Sequence, residues 1–156
     1  MTVTALIVAA GSGSRAGGEL PKQYRKIGAV AVLARAVDAL ASHPRIDAVR
    51  VVIGAGQDAM AREALGHRDV GDVILGGATR ADSVRAGLDA LPADGIVLVH
   101  DAARPFCPHE VIDRLLAALD DADGAVPVLD VADTLAKGRG RLEAVVDRTG
   151  LLRVQT

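Results

Sequence analysis

Arg15 and Lys22 have the clearest chemical prospects in this chain of 156 residues. Arg15 lies in a glycine-rich run, Ala9-Ala10-Gly11-Ser12-Gly13-Ser14-Arg15-Ala16-Gly17-Gly18, that follows directly on the apolar stretch 3–9. Glycines after a buried strand let backbone N–H groups converge on an anion, so Gly11, Gly13 and their neighbours predict phosphate binding. Lys22 follows in Pro21-Lys22-Gln23-Tyr24, where the proline favours an extended turn that folds the ammonium back over the loop. The chain has three lysines, Lys22, Lys26 and Lys137, so two just behind one glycine-rich loop are a local concentration of charge. A solvated basic loop is the plainer alternative. Gly11-x-Gly13-x-x-Ala16 also fits a dinucleotide fingerprint, but the next clear strand ends at Ile53-Gly54, without the acid that would take a ribose. No Gly-Lys-Ser/Thr is present, which excludes a P-loop.

Three further segments carry polar chemistry at the ends of apolar runs. In Gly76-Gly77-Ala78-Thr79-Arg80-Ala81-Asp82-Ser83 the small residues admit a flat base or a phosphate to the backbone, and Ser83 can hydrogen-bond a polar edge. The same run reads equally well as a tight turn with a capped helix. Val97-Leu98-Val99-His100-Asp101-Ala102-Ala103-Arg104 ends an apolar strand with a carboxylate and sets a guanidinium three residues later. Ligands gather at the carboxyl ends of parallel strands, so Asp101 is placed to hold Mg²⁺ or a sugar hydroxyl and Arg104 an anion; a local Asp101–Arg104 ion pair is the structural alternative. Thr134 and Arg148, in Asp133-Thr134 and Val146-Asp147-Arg148-Thr149-Gly150, can grip a second phosphate or belong to a polar hairpin and its turn. His100, Cys107 and His109 match no metal-ligand spacing, and His100 reads as a structural histidine.

Positioning these residues requires an α/β domain with a largely parallel sheet, because short apolar runs alternate with amphipathic stretches and no repeat or linker intervenes. The patterns predict strands at 3–9, 48–54, 72–75, 95–100 and 124–129, and helices near 31–42, 57–66, 80–91 and 108–120. Thr79 and Asp82 have the spacing of a capping box, and Pro108 suits a first helical turn. Beyond residue 130 the pattern becomes two strands around the glycine-rich turn Lys137-Gly138-Arg139-Gly140, an arm that leaves the main sheet. The pattern breaks off at Thr156, directly after Leu151-Leu152-Arg153-Val154, and reads as a fragment.

Composition narrows the classes. With 18 Lys+Arg against 20 Asp+Glu the net charge is −2, so no whole-molecule field recruits nucleic acid or an acidic membrane. Tyr24 and Phe106 are the whole aromatic complement, which excludes a stacking platform for single-stranded nucleic acid. The single cysteine, Cys107, excludes an internal disulfide framework and suits a reducing compartment, the cytosol by default. The first apolar run lacks a preceding Lys or Arg and ends too early for a signal peptide or a membrane span.

The motifs AAGSGSRAG (9–17), PKQY (21–24), GGATRADSV (76–84), VHDAARP (99–105), VADT (131–134) and VDRTGL (146–151), in this order, resemble those of 2-C-methyl-D-erythritol 4-phosphate cytidylyltransferases. The resemblance covers essentially the whole chain. It implies CMP transfer from CTP to methylerythritol phosphate, with release of pyrophosphate and dependence on Mg²⁺, in the non-mevalonate route to isoprenoids. It also implies a Rossmann-like nucleotidyltransferase fold of three layers and a homodimer joined through a β-arm at 130–148. By motif, Arg15 and Lys22 resemble a transition-state-stabilising pair on the triphosphate, while Ala9, Ala10, Gly77 and Ser83 match positions near the cytosine. Asp101 and Arg104 fall where ribose, metal and methylerythritol groups meet. Thr134 and Arg148 resemble arm residues that position the substrate phosphate, Arg148 being counted with the catalytic cations, and Thr156 matches a substrate-side threonine. The family continues past this point with a further lysine and core elements, and some members carry a second pathway enzyme. A ribitol 5-phosphate-type cytidylyltransferase, sharing the PKQ and HDA-x-RP style of motif, is the nearest alternative, and a catalytically incomplete CTP-binding module is another.

Overall fold

The computed structural model describes residues 1–11 and 20–155. The chain divides into two compact units, Met1–His109 and Glu110–Thr156. The first contains β1 (Val3–Ala9), a 3-10 turn (Lys22–Tyr24), β2 (Lys26–Ile27), β3 (Val30–Ala31), α1 (Val32–Ala41), β4 (Ala48–Ile53), α2 (Asp58–Leu65), β5 (Ile74–Leu75), α3 (Arg80–Asp89) and β6 (Ile96–Asp101). Then α4 (His109–Ala118) begins, and the second unit adds β7 (Val128–Asp130), β8 (Leu135–Gly138), β9 (Leu142–Val146) and β10 (Leu152–Val154).

The main sheet of the first unit has the order β5-β4-β1-β6, and each pairing is parallel. β1 is central, and Ala5, Leu6 and Ile7 are wholly buried, as an apolar run covered on both faces must be. The connections step one way from β1 through α1 to β4 and β5, then α3 leads back across to β6 on the other side of β1. Right-handed crossovers running in opposite directions put α1 and α3 on opposite faces, so three layers form and the strand order reverses between β1 and β6. The register aligns Val8 with Asp101, Ala9 with Ile53 and Ile53 with Leu75, bringing four carboxyl ends to one rim. That rim, at the reversal point, is where an open α/β sheet forms its ligand crevice.

Helix α1 buries Leu33, Val37 and Leu40, at the spacing of one helical face. Glycine is required where α3 crosses the sheet, because a Cβ at Gly87 would lie 2.6 Å from Leu6 Cδ2 and 2.9 Å from Val52 Cγ2. The expected capping box starts α3: Thr79 Oγ1 accepts from the Asp82 N–H at 3.1 Å, while the Asp82 carboxylate accepts from the Thr79 N–H at 3.1 Å. The Thr79 hydroxyl, which donates to Asp82 Oδ2 at 2.7 Å, and after it the Thr79 N–H hold the Asp82 carboxyl below its ordinary value of 3.8. A depressed carboxylate contributes stability that is present above the unfolded value and lost as pH falls through the folded one. Asp82→Asn should therefore flatten the fall of thermal midpoint with pH below 3.8. Thr79→Ala should cost about 1 kcal/mol, or about 2–4 °C in Tm by thermal unfolding.

The second unit differs from the pattern-based expectation. The predicted strand 124–129 narrows to β7, which pairs antiparallel with β10 rather than extending the parallel sheet. Pro127 has no N–H to give a ladder, and its carbonyl instead accepts from the Gln155 N–H at 2.8 Å. A hairpin forms as β8 and β9, but its first strand lies later than the expected 130–135 and takes in Lys137 and Gly138 from the expected turn, because both pair with β9; Leu135 stands opposite Val146 and the register shifts at Gly138.

Candidate active site

The rim at the carboxyl ends of β1, β4, β5 and β6 is built from close backbone approaches. A Cβ at Gly54 would meet Ala10 O at 3.0 Å, and one at Gly76 would meet the Ala10 Cβ at 2.9 Å and Ser83 Oγ at 2.7 Å. Ala10 thus sits between the loops after β4 and β5, and glycine at both positions lets the three segments close up. Ala9 and Gly11 are held from the other direction, for the buried Gln23 side chain donates its amide N–H groups to Ala9 O at 2.7 Å and Gly11 O at 2.8 Å. Gln23 therefore ties the start of the glycine-rich loop to the 3-10 turn that carries the exposed Lys22. Its neighbour Tyr24 is buried and donates its hydroxyl to Gln57 Oε1 at 2.9 Å. Burial is the main reason its phenol is pushed up to about 12, with the Asp58 carboxylate adding to the rise. Arg15 and Gly13 fall outside the described residues, as does Thr156.

Gly77 and Ser83 are brought together in the turn before α3. Ser83 is buried; its Oγ accepts from the Gly77 N–H at 3.2 Å and donates to Thr79 O at 2.9 Å. The hydroxyl proton is thereby committed to the backbone, and Ser83 shapes the turn whose main chain faces the rim. Gly77 has no room for a side chain, since a Cβ there would lie 2.4 Å from Asp82 Cβ.

Asp101, at the end of β6, is gripped by two guanidinium groups. Arg80 donates from Nε at 3.0 Å and Nη2 at 2.9 Å to Oδ1, and Arg104 Nε stands 3.8 Å from Oδ2. The Asp101–Arg104 ion pair, the structural alternative drawn from the sequence, is thus present within a larger cluster. Arg80 was not among the candidates named from the sequence; its one signal there is its place in the first turn of a helix after a glycine turn. Buried His100 is structural as expected: Nε2 lies 2.8 Å from Arg104 O, and burial pushes its pKa below 6.5. Gln23 and Gln57 were also missed, because a buried amide has no sequence pattern of its own.

Among the described residues no group of three metal-ligating side chains forms. Asp101 offers one carboxylate, already charge-balanced by Arg80 and Arg104. This donor set fits Mg²⁺ held chiefly by nucleotide phosphate oxygens, with at most one protein ligand.

In the second unit Arg148 donates from Nη1 to the Ala132 carbonyl, so its guanidinium reaches the segment that leads into Thr134. The turn is closed by Asp147, which accepts from the Thr149 N–H at 3.0 Å and hydroxyl at 2.8 Å. The backbone bond foremost, these interactions lower the Asp147 pKa. Thr134 and Arg148 thus lie at the same end of the β8–β9 hairpin, both exposed.

A solved structure of 2-C-methyl-D-erythritol 4-phosphate cytidylyltransferase from Thermus thermophilus is 35% identical, with a TM-score of 0.76, and matches 100% of this chain and 68% of its own. The bifunctional enzyme IspD/IspF of Rhizorhabdus wittichii is 64% identical over 155 residues, covering 99% of this chain. The chain spans 40% of that relative's length. A 2-C-methyl-D-erythritol 4-phosphate cytidylyltransferase from Cereibacter sphaeroides is 47% identical, across 100% of this chain and 71% of the relative. The profile of that same family matches residues 3–156, glycine-rich loop, rim and arm together, and the chain belongs to the 2-C-methyl-D-erythritol 4-phosphate cytidylyltransferase family.

Proposed function

We propose that the protein transfers CMP from CTP to 2-C-methyl-D-erythritol 4-phosphate, giving 4-CDP-2-C-methyl-D-erythritol and pyrophosphate. The observation that carries this reading is the rim itself, where the Gly11 loop, the Lys22 turn and the Arg80–Asp101–Arg104 cluster meet the strand reversal of a family member. An oxygen of the ionised phosphate monoester attacks the α-phosphorus in line, and the bond to the β-phosphate bridging oxygen breaks. The attacking group is already anionic, so no general base is needed; the work is positioning and charge stabilisation.

Arg15 and Lys22 would hold the triphosphate and stabilise the charge that moves onto the departing pyrophosphate. Backbone groups of Ala9, Ala10, Gly11, Gly13 and Gly77, in a turn shaped by Ser83, would seat the nucleotide. Asp101 would accept from a sugar hydroxyl or contribute one oxygen to Mg²⁺, with Arg104 beside it for an anionic group. A divalent cation would neutralise phosphate charge when bound. Thr134 and Arg148 would position the substrate phosphate for the neighbouring subunit of a homodimer, with Thr156 on the substrate side. The arm reading is supported by Leu129, Leu142, Val145 and Leu152, each more than half exposed in the second unit. No described helix is long and apolar enough to cross a membrane. A cytosolic setting is proposed on the cysteine usage of the chain, one residue in 156.

Pyrophosphate release is the test. CTP with methylerythritol 4-phosphate should support turnover, while ribitol 5-phosphate or another nucleotide should not. Release with ribitol 5-phosphate instead would transfer the assignment to that substrate, and CTP binding without turnover would identify a binding module.

A further inference from the structure

We propose that Gln57 and Tyr24 form a buried strut that sets the pose of Lys22, making both positioning residues for the nucleotide site. This rests on the reading of Lys22 as a triphosphate ligand. Gln57 precedes α2 and is buried; its Oε1 accepts from the Gly54 N–H at 3.2 Å and from the Tyr24 hydroxyl at 2.9 Å. One amide oxygen thus joins the end of β4 to the 3-10 turn. Gln57 is itself held, since its N–H donates to Gly54 O at 3.2 Å. A Cβ at Gly54 would lie 2.9 Å from Gln57 Nε2, so the glycine leaves just enough room for the amide.

The strut meets a second set of ties on the other side of the turn. Gln23 donates to Ala9 O and Gly11 O, while the Tyr24 N–H donates to Pro21 O at 3.0 Å. Lys22 lies between Pro21 and Gln23, two residues from the Tyr24 anchor, and its long flexible stem supplies no order of its own. Its base is therefore fixed by buried polar bonds to the carboxyl ends of β1 and β4. In a low-dielectric setting such bonds are rigid when satisfied and costly when broken.

The test is a double-mutant cycle on binding of CTP with Mg²⁺, read by titration calorimetry, with thermal midpoints recorded for each protein. Tyr24→Phe removes only the hydroxyl and should weaken CTP binding roughly two- to tenfold, the scale of one lost hydrogen bond. In a Lys22→Ala background the same change should have little further effect, because residues that act through one another are non-additive. Gln57→Met, which deletes the acceptor at similar volume, should show the same dependence on Lys22. Equal losses in both backgrounds would overturn the strut and leave a general contribution to folding. Unchanged binding by Tyr24→Phe, where Lys22→Ala does weaken it, would overturn the strut alone. Unchanged binding by Lys22→Ala would overturn the triphosphate reading and the strut with it.

Discussion

Replacing Lys22 with alanine is expected to slow pyrophosphate release by about two orders of magnitude, with an unchanged thermal midpoint. The transition state of phosphoryl transfer spreads negative charge over the oxygens around the α-phosphorus and the leaving pyrophosphate, and a fixed cation stabilises it more than it stabilises bound CTP. Removing one preorganised electrostatic contact of this kind costs about 3 kcal/mol. The ammonium of Lys22 is exposed, so its loss leaves the core intact, while its backbone remains in a turn held by buried neighbours. Lys22→Arg should recover part of the rate, since charge returns with a different reach. The decisive comparison is steady-state turnover of the variant and the native chain. A native rate from a folded Lys22→Ala protein would exclude this lysine from the chemistry.

Leu6→Ala should lower stability by about 2–5 kcal/mol, measured by denaturant unfolding. Leu6 is fully buried on the central strand, and its methyl groups fill the place where Gly87 brings α3 onto the sheet. Gly87 has no side chain to collapse into the vacated volume, which favours the upper half of that range. The loss also reaches function: α3 carries Arg80, whose two bonds to Asp101 depend on the helix keeping its seat. CTP affinity should therefore fall with stability in Leu6→Ala, whereas Lys22→Ala separates the two. Full stability with alanine at this position would mean that the helix and sheet repack without Leu6.

The linear pattern was enough to locate β1, β4 and β6, because an apolar run of β-branched residues bounded by polar or glycine signals has few other uses. It also located α3, whose Thr79 and Asp82 form the expected cap, and the second strand of the 135–146 hairpin. Candidate chemistry could be named where residue type and a strand end coincided, as at Asp101, and where a cation followed a glycine-rich loop, as at Lys22. What periodicity did not reveal was the exchange of partners in three dimensions. Pro127 broke an expected strand and β7 found β10, while a carboxylate expected beside Arg104 also received Arg80 from a helix 21 positions earlier. Gln23 and Gln57 acquired their roles only when strand ends converged on one rim, since a buried amide is defined by the groups that satisfy it. Local sequence determined which segments are strands, caps and loops, because those depend on near neighbours; tertiary structure decided which polar groups meet, because burial makes distant segments satisfy one another's hydrogen bonds.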